Sequence, residues 1–303
     1  MKKITRLTLP NLFIVGAPKC GTTSLCNYLR QHPQVFITEP KEPNFFNTDL
    51  LRKNRMSEQE YFQLFEKSAS FPVRGEGTPL YLMSKEAPAN LARFNPDAKV
   101  VISTRQPWAL IVSAFYQNRS NTVETSASLV EALNLESERA SWDYLPHDPE
   151  PVGRLLYRRM ASLAEQIQEY QRHFPPEQIH IIQFDRFFDD VPAGLKELLE
   201  FLEVDDLSQE ILPEVHNPAS DNRFAGLAGL YRHPPAWLSA SARRLMSDKT
   251  RSKIYTTLRG WNEKPVDKSE QDEAQEMLRE FNNKQVSQLE ELLSWNLTHW
   301  KLP

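Results

Sequence analysis

Two kinds of hydrophobic pattern alternate along the chain: short unbroken apolar runs, and longer stretches in which apolar positions return every three or four residues. Leu12-Phe13-Ile14-Val15 is a run of the first kind, closed by Gly16, and predicts a strand buried on both faces. After a loop over 16–21, Leu25, Tyr28 and Leu29 fall on one helical face, and the pattern stops at His32-Pro33. Residues 44–56 show no regular pattern. Tyr61, Phe62 and Phe65 give 58–65 a helical spacing, 73–76 reads as a second strand, and 84–94 as a helix. Lys99-Val100-Val101-Ile102-Ser103 is the clearest later strand. It ends at Thr104-Arg105, and Pro107 opens a helix through Tyr116, a position where proline is tolerated. Further on, 126–139, 152–174, 192–202 and 273–293 predict helices, 179–184 a strand, and 143–151 a proline-rich loop.

Strands alternating with helices predict an α/β fold of three layers, α/β/α, around a central, mostly parallel sheet. A length of 303 residues suits one domain over 1–303, with the Arg-, Pro- and Ser-rich stretch 213–264 as a flap. Lys and Arg number 36 against 40 Asp and Glu, a net charge of −4, so nucleic acid is not the expected partner. One basic cleft remains compatible with that balance. The only cysteines, Cys20 and Cys26, lie too close in sequence to staple a large fold, and no spacing suggests a metal site. The basic N-terminus is followed by no long apolar run, and no window approaches the roughly 20 apolar residues of a membrane span. A cytoplasmic protein is the expectation.

The chemistry concentrates after the first strand. Gly16-Ala17-Pro18-Lys19-Cys20-Gly21-Thr22-Thr23-Ser24 joins strand to helix, where backbone N–H groups and the helix dipole make an anion cradle. The glycines permit close approach, and Thr22, Thr23 and Ser24 add hydroxyls. A nucleoside-triphosphate loop places lysine directly after its second glycine. Here Thr22 stands there, and the lysine is two places before the glycine, at Lys19. The next clear strand ends in Ser103-Thr104-Arg105 rather than in a magnesium-binding aspartate. A metal-free site for a nucleotide with a second phosphate follows, with Arg105 at the strand edge and Ser113 eight residues on as that phosphate's partners.

These two segments together resemble the sulfotransferases that use 3'-phosphoadenosine 5'-phosphosulfate (PAPS). Residues 18–24 resemble their 5'-phosphosulfate loop, and Arg105-Gln106-Pro107-Trp108 through Ser113 their 3'-phosphate motif, with Leu110 where a second arginine often stands. Lys41-Glu42-Pro43-Asn44-Phe45-Phe46, Gly75-Glu76-Gly77-Thr78-Pro79-Leu80-Tyr81-Leu82, His216-Asn217-Pro218 and the closing 292–300 resemble segments of the bacterial and heparan-sulfate-type branch. The resemblance implies a P-loop-like fold and PAPS as co-substrate, with adenosine 3',5'-bisphosphate (PAP) as product. It implies PAPS-binding roles for Pro18, Lys19, Cys20, Gly21, Thr22, Thr23, Ser24, Arg105 and Ser113. It makes Lys19 the stabiliser of the leaving phosphate and Glu42 the general base. Without the resemblance Glu42 reads as a loop glutamate between charged neighbours. Of the seven histidines, His216 is the least easily set aside as structural. Trp142, Tyr144 and His147 are candidates to line the acceptor site.

That branch often has histidine at position 44 and lysine at position 77; Asn44 and Gly77 remove both positive charges. A neutral sugar, a lipid or a small alcohol is therefore expected as acceptor at least as much as a sulfated polysaccharide. Two other readings stay open at this point: a magnesium-dependent small-molecule kinase, and a PAP-binding module without catalysis.

Overall fold

The computed structural model describes residues 9–50, 56–141, 152–213 and 271–303, together with 221–222, 250, 257 and 263–264. Backbone contacts group the chain into two compact units. One comprises 1–110, 158–216 and 280–303, and the other 111–157 and 217–279.

The first unit holds a five-stranded sheet, ordered β2-β3-β1-β4-β5. Its strands are β1 (Leu12–Gly16), β2 (Val35–Ile37), β3 (Val73–Gly77), β4 (Lys99–Thr104) and β5 (Ile179–Gln183), and every pair is parallel. All five residues of β1 are buried, as the apolar run demands of the central strand. Alternation sends its side chains to two different layers. Leu12 and Ile14 pack with Leu25 and Leu29 of α1 (Thr22–Arg30), Phe187 of α9 (Phe184–Asp189), and Leu195, Leu198 and Leu202 of α10 (Val191–Leu202). Phe13, on the opposite face, meets Phe46 edge-to-face with ring centres 5.7 Å apart. Phe46 in turn abuts Tyr61 of α2 (Glu58–Gln63) and Phe94 of α3 (Ala87–Phe94). The chain thus has a P-loop-like three-layer α/β/α fold, as its pattern predicts.

Strand order decides where a ligand can sit. From β1 the chain moves to β2 and β3 on one side, then crosses to β4 and β5 on the other. The reversal leaves a crevice at the C-terminal ends of β1 and β4, the place where open α/β sheets bind ligands.

In the second unit, α4 (Pro107–Ser120), whose first turn belongs to the first unit, is followed by α5 (Leu129–Asn134) and α6 (Glu136–Arg139). Here Arg139 makes a two-pronged ion pair with Glu124 at 2.7 and 2.8 Å, and the Tyr157 hydroxyl donates to the same carboxylate. Within the predicted flap the described residues are 213, Asp221–Asn222, paired antiparallel with Glu263–Lys264 as β6 and β7, and residues 250 and 257. Its arginines and His216 lie outside the described residues, as do Trp142, Tyr144 and His147.

Several elements differ from the sequence pattern. β2 is three residues long, too short for alternation to show. The predicted helix over 152–174 is three pieces: a 3-10 turn at Val152–Leu155, α7 (Tyr157–Ala161) and α8 (Leu163–Gln171). Ser162 breaks it, with ψ at 60° and its hydroxyl donating back to the Arg158 carbonyl. The helix expected over 126–139 is two, α5 and α6, and the Ser128 side chain caps the first by accepting from Glu131 N–H. The last helix, α11 (Asp272–Leu293), follows its periodicity closely. Among the described residues no helix is long and apolar enough to cross a membrane.

Candidate active site

Backbone bonds fix the 17–21 loop to its neighbours. Ala17 N–H donates to the Ser103 carbonyl (2.7 Å), and the Ser103 hydroxyl donates to the Cys20 carbonyl (2.7 Å), so the end of β4 carries the loop from below. On the other side, Thr78 N–H reaches Ile14 O and Leu82 N–H reaches Val15 O. Two glycines make this geometry accessible. A side chain on Gly16 (φ +152°) would fall 2.5 Å from Leu82 Cβ, and one on Gly21 (φ +75°) 2.4 Å from the Phe188 ring. Gly21 is the N-cap of α1. No side chain caps that end, and its first turn holds no acidic residue. A helix start without a capping side chain or a carboxylate presents N–H groups and positive dipole to any anion at the crevice.

The predicted phosphate-loop residues divide by exposure. Thr23 is exposed, Thr22 and Ser24 are buried, and Pro18 and Lys19 are half-buried. Cys20 is fully buried. Its N–H donates to Ala17 O, its thiol lies against Pro18 O, and burial pushes that thiol up to about 12.

Lys19 has a left-handed backbone (φ 65°), which costs a non-glycine residue roughly 1–2 kcal/mol. Such strain collects at functional sites. Burial first, and then the Arg105 guanidinium, hold its ammonium below the ordinary lysine range; Glu42 acts in the opposite sense. Arg105, at the end of β4, donates to the Lys19 carbonyl at 3.1 Å, and its guanidinium stacks 4.5 Å over the Phe184 ring. The turn that follows is tied down by the C-terminal segment. Gln106 Nε2 donates to Trp300 O, Trp108 N–H to Asn282 Oδ1, and the buried Trp300 indole to Asp185 Oδ2. Ser113, half-buried on α4, falls in the second unit.

Glu42 enters from the other side of β1. It too has a left-handed backbone (φ 64°), as does Asn44 (φ 52°). Its N–H bonds to Gly77 O at the end of β3 (3.1 Å), and Asn44 Nδ2 donates to its carbonyl. Lys41 Nζ lies 2.8 Å from Glu42 Oε1 and 3.4 Å from Thr22 Oγ1, spanning the gap between the base candidate and the phosphate loop. The structure therefore gathers Lys19, Thr22, Arg105 and Glu42 around one crevice.

Beneath this loop lies a group that pattern reading does not single out. Glu76, fully buried on β3, accepts from Tyr61 (2.9 Å), Tyr81 (3.0 Å) and Thr78 (2.6 Å). Burial pushes its carboxyl up to about 7 against those three hydroxyls, and the nearby Glu42 adds to the rise. The Tyr81 hydroxyl also accepts from Phe45 and Phe46 N–H, so Glu76 holds the 42–46 loop at one remove. A carboxylate in a strand, followed by Thr-Pro and then tyrosine, is the only trace of this in the sequence.

A family model described as "Sulfotransferase domain" matches residues 9–222. Heparan sulfate glucosamine 3-O-sulfotransferase 3B1 of Mus musculus is 27% identical over 199 residues, which cover 64% of this chain and 46% of that protein. Heparan sulfate glucosamine 3-O-sulfotransferase 6 of Homo sapiens is 26% identical over 191 residues, 62% of this chain and 50% of that protein. The chain spans about half the length of these curated relatives. Among solved structures, a sulfotransferase from Alicyclobacillus acidocaldarius is 25% identical with a TM-score of 0.70, over 96% of this chain and 98% of that one. The sulfotransferase domain from the curacin biosynthetic pathway, 14% identical with a TM-score of 0.50 over 95% and 99%, shares the fold.

Proposed function

The chain belongs to the sulfotransferase family, and on that premise we propose that it transfers a sulfuryl group from PAPS to a hydroxyl or amine of an acceptor. One observation carries the reading: an uncapped helix start without acidic residues lies beside a lysine whose ammonium is disfavoured by burial and by Arg105. An anion in that position offsets both costs, because it completes the helix N-terminus and neutralises two crowded cations.

In the proposed reaction the acceptor oxygen attacks sulfur in line with the departing phosphate. The new S–O bond forms as the S–O bond to the phosphate breaks, and that electron pair leaves on the phosphate oxygen. Glu42 takes the acceptor's proton. Lys19 and the first-turn N–H groups of α1 stabilise the charge growing on the leaving oxygen, as in phosphoryl transfer. Arg105 and Ser113 are the proposed partners of the ribose 3'-phosphate. Asn44, turned back onto its own loop, and Gly77 leave the acceptor side without the two positive charges noted above. A side chain at position 77 would meet Cys26 Sγ at 2.5 Å, so the fold resists a lysine there. We therefore propose a neutral sugar, a lipid or a small alcohol as acceptor.

Calorimetry with PAP in the absence of magnesium tests the reading, with binding the expected result. Lys19→Ala is expected to lower turnover far more than PAPS affinity. Stabilisation by Mg-ATP alone, with no uptake of PAP or PAPS, overturns the proposal in favour of a kinase.

A further inference from the structure

Lys41 bridges the two halves of the site. Its side chain is 17% exposed, and its ammonium contacts Glu42 on its own loop and Thr22, the first residue of α1. Its stem runs over the end of β3, with Cε 3.6 Å from where a side chain at Gly77 would begin. The glycine thus leaves room for the lysine to lie across the crevice. The Lys41 charge is felt at Lys19, whose ammonium it disfavours, and at the Cys26 thiol. A cation held by a carboxylate at one end of a crevice, beside a helix start built for an anion at the other, has two competing partners. An ammonium carries three N–H donors on a flexible four-carbon stem and can change partners without moving its backbone.

We propose that Lys41 is a further catalytic residue, which leaves Glu42 for the sulfuryl oxygens of the donor when the donor binds. This rests on the reading of the 17–24 loop as the phosphosulfate site. In the donor-free protein the ammonium occupies the carboxylate that must accept the acceptor's proton, so that base is engaged. Donor binding brings negative oxygens to the α1 N-terminus, and Lys41 moves to them. Two effects follow from one displacement: the Lys41 ammonium leaves the base only when a sulfuryl group is present to transfer, and a cation reaches the transferring group. PAP lacks the sulfuryl oxygens and leaves Lys41 on Glu42.

The test is a double-mutant cycle read by calorimetry without acceptor, using PAP and PAPS as separate ligands. Lys41→Met keeps the stem and removes the charge. It is expected to weaken PAPS binding about tenfold while leaving PAP within about twofold, which also shows that the variant is folded. Glu42→Gln removes the competitor for the ammonium. It is expected to tighten PAPS binding roughly fivefold in the wild-type background, and to bring almost no gain when combined with Lys41→Met. An equal gain from Glu42→Gln in both backgrounds overturns the switch, because the effect is then general charge and not the ammonium's choice. Equal weakening of PAP and PAPS by Lys41→Met overturns it too. Wild-type protein that binds neither ligand removes the donor reading itself, a failure that appears before any variant is compared.

Discussion

The sharpest thermodynamic consequence of the structure concerns Glu76. Its carboxyl, ordinarily near 4.5, is pushed up to about 7 by burial, even with three hydroxyls donating to it. The native state therefore binds this proton more tightly than the unfolded chain does. The associated stability is present in full below about pH 4.5 and is lost as pH rises through about 7. Each tenfold difference in proton affinity is worth about 1.4 kcal/mol, so between pH 5 and pH 8 the native state loses roughly 2–3 kcal/mol through this group alone. Glu76→Gln has no proton to lose. Its amide nitrogen also cannot accept, so at least one of the Tyr61, Tyr81 and Thr78 hydroxyls must turn from donor to acceptor, at a cost of about 1–3 kcal/mol. The variant is thus less stable at pH 5, and its deficit against wild type shrinks by roughly 2–3 kcal/mol on going to pH 8. Urea unfolding of both proteins at several pH values measures that difference and cancels every group they share. A deficit that is the same at pH 5 and pH 8 refutes the reasoning.

Two further substitutions probe separate parts of the molecule. Gly21→Ala forces a side chain against the Phe188 ring at a left-handed backbone position, so PAP affinity is expected to fall at least about tenfold by calorimetry, as the anion cradle shifts. Glu124→Gln leaves Arg139, only 3% exposed, without its carboxylate partner, and is expected to cost about 3–5 kcal/mol in urea unfolding while PAP affinity is kept.

The strand-to-helix loop over 16–24 and the place of Arg105 are legible in the sequence because they depend on backbone. An apolar run, two glycines at a strand-to-helix turn and an arginine at the next strand end specify a geometry that few other patterns produce. The parallel sheet follows from the same alternation. The parts that were not legible depend on tertiary contacts. β2 is too short to show a period, and Ser162 breaks a helix whose apolar spacing is otherwise continuous. The ties of Trp300 and Asn282 to the turn after Arg105 join segments more than 170 residues apart, which no local pattern reveals. Glu76 is visible as a letter in a motif. Its role is not, because only the fold brings Tyr61 and Tyr81 onto one carboxylate.

This contrast assigns different mechanical characters to the two halves of the crevice. The donor loop is held chiefly by main-chain bonds to the flanking β4 and by the 78–82 segment that follows β3. Those bonds do not titrate, and they persist as long as the sheet does. The loop carrying Glu42 is tied by a main-chain bond to Gly77, by the Asn90 amide to the Phe46 carbonyl, and by the Tyr81 hydroxyl, which is itself bonded to a carboxyl that gains its proton near neutrality. Protonation of Glu76 therefore bears on the Glu42 loop through Tyr81 and, through Thr78, on the segment that also ties the 17–21 loop. The same sheet positions both loops, because β1 lies between β4, which carries the 17–21 loop, and β3, whose end holds Glu42.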